Sequence, residues 1–236
     1  MNGGKTVASK EELKQKAAEK AVTFLQDGMV VGLGHGSTAH FAHLAIARRL
    51  QEGTLKNIIA IPCSRQVEAE ARQLGIPLGT LADYPEIDIT IDGADEVDPQ
   101  LNLIKGGGGA LLREKIVAQA SRQEIIIVDE GKLSPALGTR WALPVEVVPF
   151  GVVPVSRFVE SIGGKPRLRQ LENGKPFLTD QGNYILDCQF GPIADPATLA
   201  RQLCDCAGVV EHGLFIGLAS MVIVGSANGV EILKAL

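Results

Sequence analysis

The stretch MVVGLGHGSTAHFAHLAIARRL, residues 29–50, decides the fold. Residues 29–33 are apolar and strand-like, and a glycine-rich turn follows. Residues 38–50 then carry Phe41, Leu44 and Ala45 at helical spacing until Arg48 and Arg49 mark an exposed end. A strand that turns through glycines straight into a helix is the first half of a parallel β-α unit. The pattern recurs downstream: residues 57–61, 87–91 and 124–128 read as strands, and residues 64–74 and 110–121 as helices. Such alternation predicts an α/β fold, a Rossmann-like, mostly parallel sheet flanked by helices. Upstream, Ser9 and Glu12 form a capping box, and Leu13, Ala17, Ala21, Phe24 and Leu25 continue a helix to about residue 26.

After Leu143 the texture changes. Pro144, Pro149 and Pro154 punctuate the chain, a helix is expected near residues 155–162, and polar strands near 165–170 and 183–190. Asp195-Pro196 supplies an N-cap and a proline at the first helical position, starting a helix to about residue 207, with a strand over 208–212. This βαββαβ-like order predicts a small α+β, ferredoxin-like subdomain. The expected division is 1–143 plus 214–236 for an α/β catalytic domain and 144–213 for the subdomain. Residues 221–224 and 229–236 are apolar again and are expected to rejoin the first sheet.

Composition narrows the function classes. Charged residues at 21% and hydrophobic ones at 45% sit near globular averages of about 25% and 45–50%, which excludes disorder and predicts a soluble globular chain. Lys+Arg 23 against Asp+Glu 27 gives −4 without a basic run, so no nucleic-acid partner is expected. The longest apolar stretch, residues 214–224, is broken by Gly217 and Ser220 and falls well short of the roughly 20 residues that span a bilayer. No membrane partner is expected either. Residues 1–5 lead toward a charged helix instead of an apolar signal core, and Cys63, Cys188, Cys204 and Cys206 include one C-x-C but no C-x-x-C. Reduced thiols in the cytoplasm, or an equivalent reducing compartment, are the expectation. Glycine is the anomaly: 27 residues is about 11% against a usual ~7%, and the excess is clustered.

Four clusters follow strand ends, where ligands of open α/β sheets bind. Gly32 to Thr38 bares backbone N–H groups at a helix start, which suits a phosphate, with the Ser37 and Thr38 hydroxyls as further donors. It is neither G-x-G-x-x-G nor a P-loop, so a nucleotide is not favoured; a tight turn with a Ser/Thr cap is the plain alternative. Asp92, Asp95, Glu96 and Asp98 repel one another unless they face water, a cation or a hydroxyl-rich ligand. Lys105-Gly106-Gly107-Gly108-Gly109 allows consecutive N–H groups to meet one oxygen, with a lysine charge beside them. Glu114 lies little more than one helical turn beyond. A carboxylate near an oxyanion site is what proton abstraction beside a carbonyl requires. The fourth cluster, Asp129 to Leu133, offers Lys132 to a phosphate or hydroxyl. His40 and His43 lack a third metal ligand and, with His212, read as surface or core-edge residues. Cys204 and Cys206 do not face each other on a helix.

Together, G-x-G-S-T (Gly34 to Thr38), D-G-A-D-E (Asp92 to Glu96), K-G-G-G (Lys105 to Gly108), R-E-K (Arg113 to Lys115), V-D-x-x-K (Val128 to Lys132) and L-P-V-E-V (Leu143 to Val147) resemble type A ribose-5-phosphate isomerase in order and spacing. The resemblance covers nearly the whole chain. It implies conversion of D-ribose 5-phosphate to D-ribulose 5-phosphate through an enediolate, with no metal or nucleotide cofactor. It further implies that Glu114 shuttles the proton between C1 and C2 while Lys105 and the N–H groups after it stabilise the enediolate. Asp92 and Asp95 match carboxylates that bind sugar hydroxyls and assist ring opening. Lys14, Ser37, Thr38 and Lys132 match substrate contacts, and His35, Gly36, Gly93, Ala94, Gly106, Gly107 and Gly108 complete the implied binding set. A homodimer or homotetramer is implied as well. The chain departs from the pattern at His35, where threonine is usual, and at Gly109 and Leu112, where alanine and threonine are expected. Two rivals are a non-enzymatic sugar-phosphate sensor, which would need a DNA-binding segment not expected here, and a coenzyme A transferase or amino-sugar phosphate deaminase with a different catalytic set.

Overall fold

A computed structural model describes residues 9–234; the readings of residues 1–5 and of 235–236 lie outside them. Helix α1 (Lys10–Val22) opens on the expected capping box, with Ser9 Oγ accepting from Glu12 N–H and the Glu12 carboxylate accepting from Ser9 N–H. It ends before residue 26 because the chain tightens into i→i+3 bonds at Thr23, Phe24 and Leu25. The chain continues through β1 (Val30–Leu33), α2 (Ser37–Gln51), β2 (Ile59–Pro62), α3 (Arg65–Gln73), β3 (Ile87–Asp92), β4 (Glu96–Val97), β5 (Leu103–Ile104), α4 (Leu111–Gln119) and β6 (Ser121–Asp129). The second run is β7 (Leu143–Val147), α5 (Val152–Ser161), β8 (Lys165–Leu168), β9 (Tyr184–Gln189), α6 (Pro196–Cys204) and β10 (Val209–His212). Strands β11 (Leu214–Phe215), β12 (Met221–Ser226) and β13 (Gly229–Lys234) close the chain.

The main sheet has the order β13-β12-β6-β3-β1-β2, parallel except for the hairpin edge strand β13. Its central strands are apolar on both faces because both are covered. On β6, Ile125 and Ile127 pack with α1 and α2, while Ile126 and Val128 pack with Ala118 and Phe215 on the opposite side. That strand is longer than residues 124–128 because Ser121 and Gln123 pair with Ile87 and Ile89 through the backbone despite their polar side chains.

The second sheet is antiparallel, order β10-β7-β9-β8, and with α5 and α6 it realises the expected ferredoxin-like βαββαβ order. Leu143 already pairs with Cys188, one residue ahead of the expected start, and the core of this sheet joins Val145, Leu186 and Cys188 to Val155, Val159 and Leu203. A third sheet, β11-β5-β4, was not expected, since two-residue strands carry no readable alternation. Among the described residues no helix is long and apolar enough to cross a membrane, and all four cysteines are unpaired.

This topology places the site. From β1 the chain steps outward to β2, then crosses back over β1 to β3, so a crevice opens at the carboxyl ends of β1 and β3. The Gly34–Thr38 loop leaves one of those ends and the Asp92 loop leaves the other.

Candidate active site

One cleft brings together Lys14, His35, Gly36, Ser37, Thr38, Gly93, Ala94, Asp95, Lys105, Gly106, Gly107, Gly108, Glu114 and Lys132. Of the fifteen residues that the family resemblance assigns to the site, Asp92 alone is absent from this lining. Apart from Lys14 on α1, these residues lie in the loops or first helical turns that follow β1, β3, β5 and β6.

The first loop starts α2 at Gly36, not at a Ser/Thr cap. Gly36 has φ 106° and makes no side-chain cap bond, so Ser37 and Thr38 are the first two helical residues. Their hydroxyls are thus released from capping, and Ser37 Oγ accepts from Lys14 Nζ at 2.8 Å. First-turn N–H groups and an ammonium beside them are the kind of donors that suit an anion. The neighbouring glycine is set by space: a Cβ on Gly34 would lie 2.2 Å from Asp92 Oδ1.

The acidic cluster is not a solvated loop. Asp92, Glu96 and Asp98 are buried, and each holds backbone in place. Glu96 accepts from Gly138 and Arg140 N–H, and Asp98 from Gln100 and Asn102 N–H. Neither belongs to the cleft. Asp92 Oδ1 accepts from His35 and Gly93 N–H, and Oδ2 pairs with Lys105 at 2.9 Å. Asp92 therefore lies beneath the cleft as an anchor of its loops. Asp95 lines the cleft and accepts from Gly107 N–H at 2.7 Å.

Lys105 is 2% exposed, and its three ammonium protons have three acceptors: Glu114 Oε1 at 2.9 Å, Asp92 Oδ2 at 2.9 Å and Gly93 O at 2.6 Å. Burial alone would lower its pKa, but the Asp92 and Glu114 carboxylates outweigh that and hold it above the ordinary lysine range. Glu114 sits in the first turn of α4, and its other oxygen, Oε2, is buried with no hydrogen-bond partner. Burial pushes its pKa up to about 7, against the pull of Lys105. A carboxylate tuned to neutrality with a spare lone pair is suited to taking and returning a proton.

The glycine run is only partly the set of free donors read from sequence. Gly107 N–H is taken by Asp95 and Gly109 N–H by Gly106 O. Among the described residues, Gly108 N–H has no protein acceptor. His35 packs on that glycine, where a Cβ would meet Nε2 at 2.5 Å. Its Nδ1 lies 3.0 Å from Ser64 Oγ, and burial lowers its pKa, favouring neutral imidazole. Lys132 Nζ stands 5.0 Å from the Trp141 ring centroid at the cleft edge.

Outside the cleft, His40 and His43 share Glu70 Oε1 at 2.7 and 3.0 Å. The reading of the histidines as surface or core-edge residues is corrected for His43 and His212, which are buried; His212 lies beside Lys115, and burial with that charge pushes its pKa down to about 4. Sequence reasoning also missed Arg169, whose Nη1 reaches Gly106 O and Gly107 O from the second sheet. The alternation of Lys165, Arg167 and Arg169 on one strand face was the available signal.

A family model for ribose 5-phosphate isomerase A (phosphoriboisomerase A) matches residues 59–229. The chain belongs to the ribose 5-phosphate isomerase A family. It is 58% identical over 229 residues to a ribose-5-phosphate isomerase A of Desulfatibacillum aliphaticivorans, covering 97% of this chain and 100% of that one. It is 58% identical over 223 residues to that of Chloroflexus aurantiacus, covering 94% and 93%. Among solved structures, a D-ribose-5-phosphate isomerase in complex with phospho-erythronic acid superposes with TM-score 0.94 at 38% identity, covering 96% of this chain and 100% of that one. The Plasmodium falciparum ribose 5-phosphate isomerase gives 0.92 at 42%, covering 95% and 98%. Within the family pattern, the departure at Gly109 has a local cause. Its φ is 82°, and a Cβ there would lie 2.4 Å from the Phe177 ring.

Proposed function

We propose that this protein interconverts D-ribose 5-phosphate and D-ribulose 5-phosphate through an enediolate, with Glu114 as the base. The observation that carries the reading is the unpartnered, buried Glu114 Oε2 beside Lys105 in a cleft that is also lined by Lys14, Ser37 and Thr38. Glu114 removes the proton from C2 of the open-chain aldose, and charge develops on O1. The proton returns to C1 while the hydroxyl proton passes from O2 to O1, which leaves the ketose. Gly108 N–H donates to the developing oxyanion, and Lys105 supplies charge next to it. Asp95 contacts sugar hydroxyls and assists ring opening, whereas Asp92 acts by fixing Lys105. Lys14, Ser37, Thr38 and Lys132 with the first-turn amides hold the phosphate end.

We also propose that residues 1–143 with 214–236 form the catalytic unit and 144–213 a smaller unit bracing it. Homodimer or homotetramer assembly in the cytoplasm is part of the same reading; Phe150, 99% exposed, with Val148 and Val153, forms an apolar patch of the kind that subunit contacts cover.

The direct test incubates the protein with ribose 5-phosphate after exhaustive EDTA treatment and follows ketose formation. Full activity is expected, because Lys105 already supplies cationic charge and no three His, Cys, Asp or Glu side chains among the described residues converge as metal ligands. Activity lost to EDTA and restored by Mg²⁺ or Mn²⁺ would contradict the metal-independent reading. The phosphate assignment has its own check. A dianion leaves water only for several charge-assisted donors, so Ser37→Ala combined with Thr38→Ala should raise KM for ribose 5-phosphate by about tenfold or more, since each such bond contributes about 1.5–3 kcal/mol. An unchanged KM would move the phosphate elsewhere.

A further inference from the structure

The glycine loop is a partition. Gly107 lines both the substrate cleft and a larger cavity of about 820 Å³ walled by β8, β9 and residues 140–142. From that far side Arg169 Nη1 donates to Gly106 O and to Gly107 O, each at 3.0 Å. The guanidinium is itself clamped. Its Nε donates to Asp187 Oδ2 at 2.9 Å, its Nη2 to Asp187 Oδ1, and Phe177 lies 5.8 Å from it.

Peptide planarity turns this grip into an orientation. All peptides here are trans, so a carbonyl and the N–H that follows it point in opposite directions. With Gly106 C=O held toward Arg169, Gly107 N–H must point away, and there it meets Asp95 Oδ2. With Gly107 C=O held the same way, Gly108 N–H is turned toward the cleft that Gly108 lines. Peptides between glycines rotate at little steric cost, so the loop cannot maintain this orientation from its own side chains.

We propose that Arg169 is a positioning residue that holds the Gly107–Gly108 peptide with its N–H facing the oxygen on which charge develops. This rests on the reading of the loop as an oxyanion donor. Arg169→Gln, Arg169→Lys and Asp187→Asn, made in the full chain, separate the two ideas when assayed beside the wild type. For Arg169→Gln we expect kcat to fall about 10- to 100-fold, less than complete loss of an oxyanion donor, with KM within about twofold. Phospho-erythronic acid, whose carboxylate offers a pair of charged oxygens on one carbon where the enediolate has them on two adjacent carbons, should lose affinity by a similar factor. Arg169→Lys should rescue only partly, because an ammonium cannot reproduce the two-sided fork. Asp187→Asn, which keeps Arg169 but loosens its clamp, should show a smaller fall in kcat and carries the test if Arg169→Gln does not fold. A purely structural role would lower the melting temperature while leaving inhibitor and substrate affinities in their wild-type ratio, and that result would overturn the proposal. So would a wild-type kcat in Arg169→Gln. Absence of turnover by the wild type itself would instead overturn the isomerase reading, and this proposal with it.

Discussion

Glu114→Gln is expected to lower kcat by about 10²–10⁴, the usual share of general acid–base catalysis, while KM for ribose 5-phosphate changes little. Glutamine keeps the size and can still accept from Lys105, but it cannot take a proton from carbon. Alternative bases are few: His35 Nδ1 faces Ser64 Oγ while its backbone N–H donates to Asp92 Oδ1, and Asp92 has both oxygens engaged. The pH profile carries the sign. Glu114 works in its ionised form, and burial places its pKa at about 7, so wild-type kcat/KM, which reports groups of the free enzyme, should rise with pH through that region and level off above it. Turnover in D₂O should place some deuterium at C1 of the ketose, because a protonated carboxyl can exchange before it returns the proton. Near-normal kcat in Glu114→Gln would show that the base lies elsewhere, even if isomerisation itself were established.

Lys105→Met should be nearly as severe and should differ in kind. The methionine fills similar volume but removes the cation that three acceptors share. Activity should fall by about 10²–10³, the loss expected when electrostatic support of an oxyanion is withdrawn. Lys105 opposes the effect of burial on Glu114 and Asp92 adds to that effect, so without the lysine the acid limb of kcat/KM should move above its wild-type position. Glu114→Gln, by contrast, should abolish that limb. Removing one partner of a buried ion pair also costs stability, about 3–5 kcal/mol, measurable by thermal or urea unfolding. An acid limb left in place in Lys105→Met would separate Lys105 from the tuning of the base.

Much of this architecture was open to a one-dimensional reading because the physics responsible is local. The capping box at Ser9, the apolar runs of β1, β3 and β6, and the Asp195-Pro196 helix start each announce themselves within a few residues. Phosphate loops and glycine runs are equally visible, since backbone N–H groups can be exposed only where side chains are small. The resemblance to the isomerase family then implied fifteen site residues, and the folded chain gathers all but Asp92 into the lining of one cleft.

What the one-dimensional reading could not supply are properties that depend on groups distant in sequence. Glu96 and Asp98 look like Asp92 and Asp95 in the same seven-residue segment, and only the third sheet and the 138–140 turn reveal them as buried backbone anchors. The sequence by itself determined which groups are present: a carboxylate, a lysine and a run of glycines at strand ends. Tertiary structure alone decided their chemistry. Burial raises the Glu114 pKa, three acceptors keep Lys105 charged, and Arg169, more than sixty residues beyond the glycines it grips, orients their peptides, since charge and dipole direction depend on what surrounds a group and not on its neighbours along the chain.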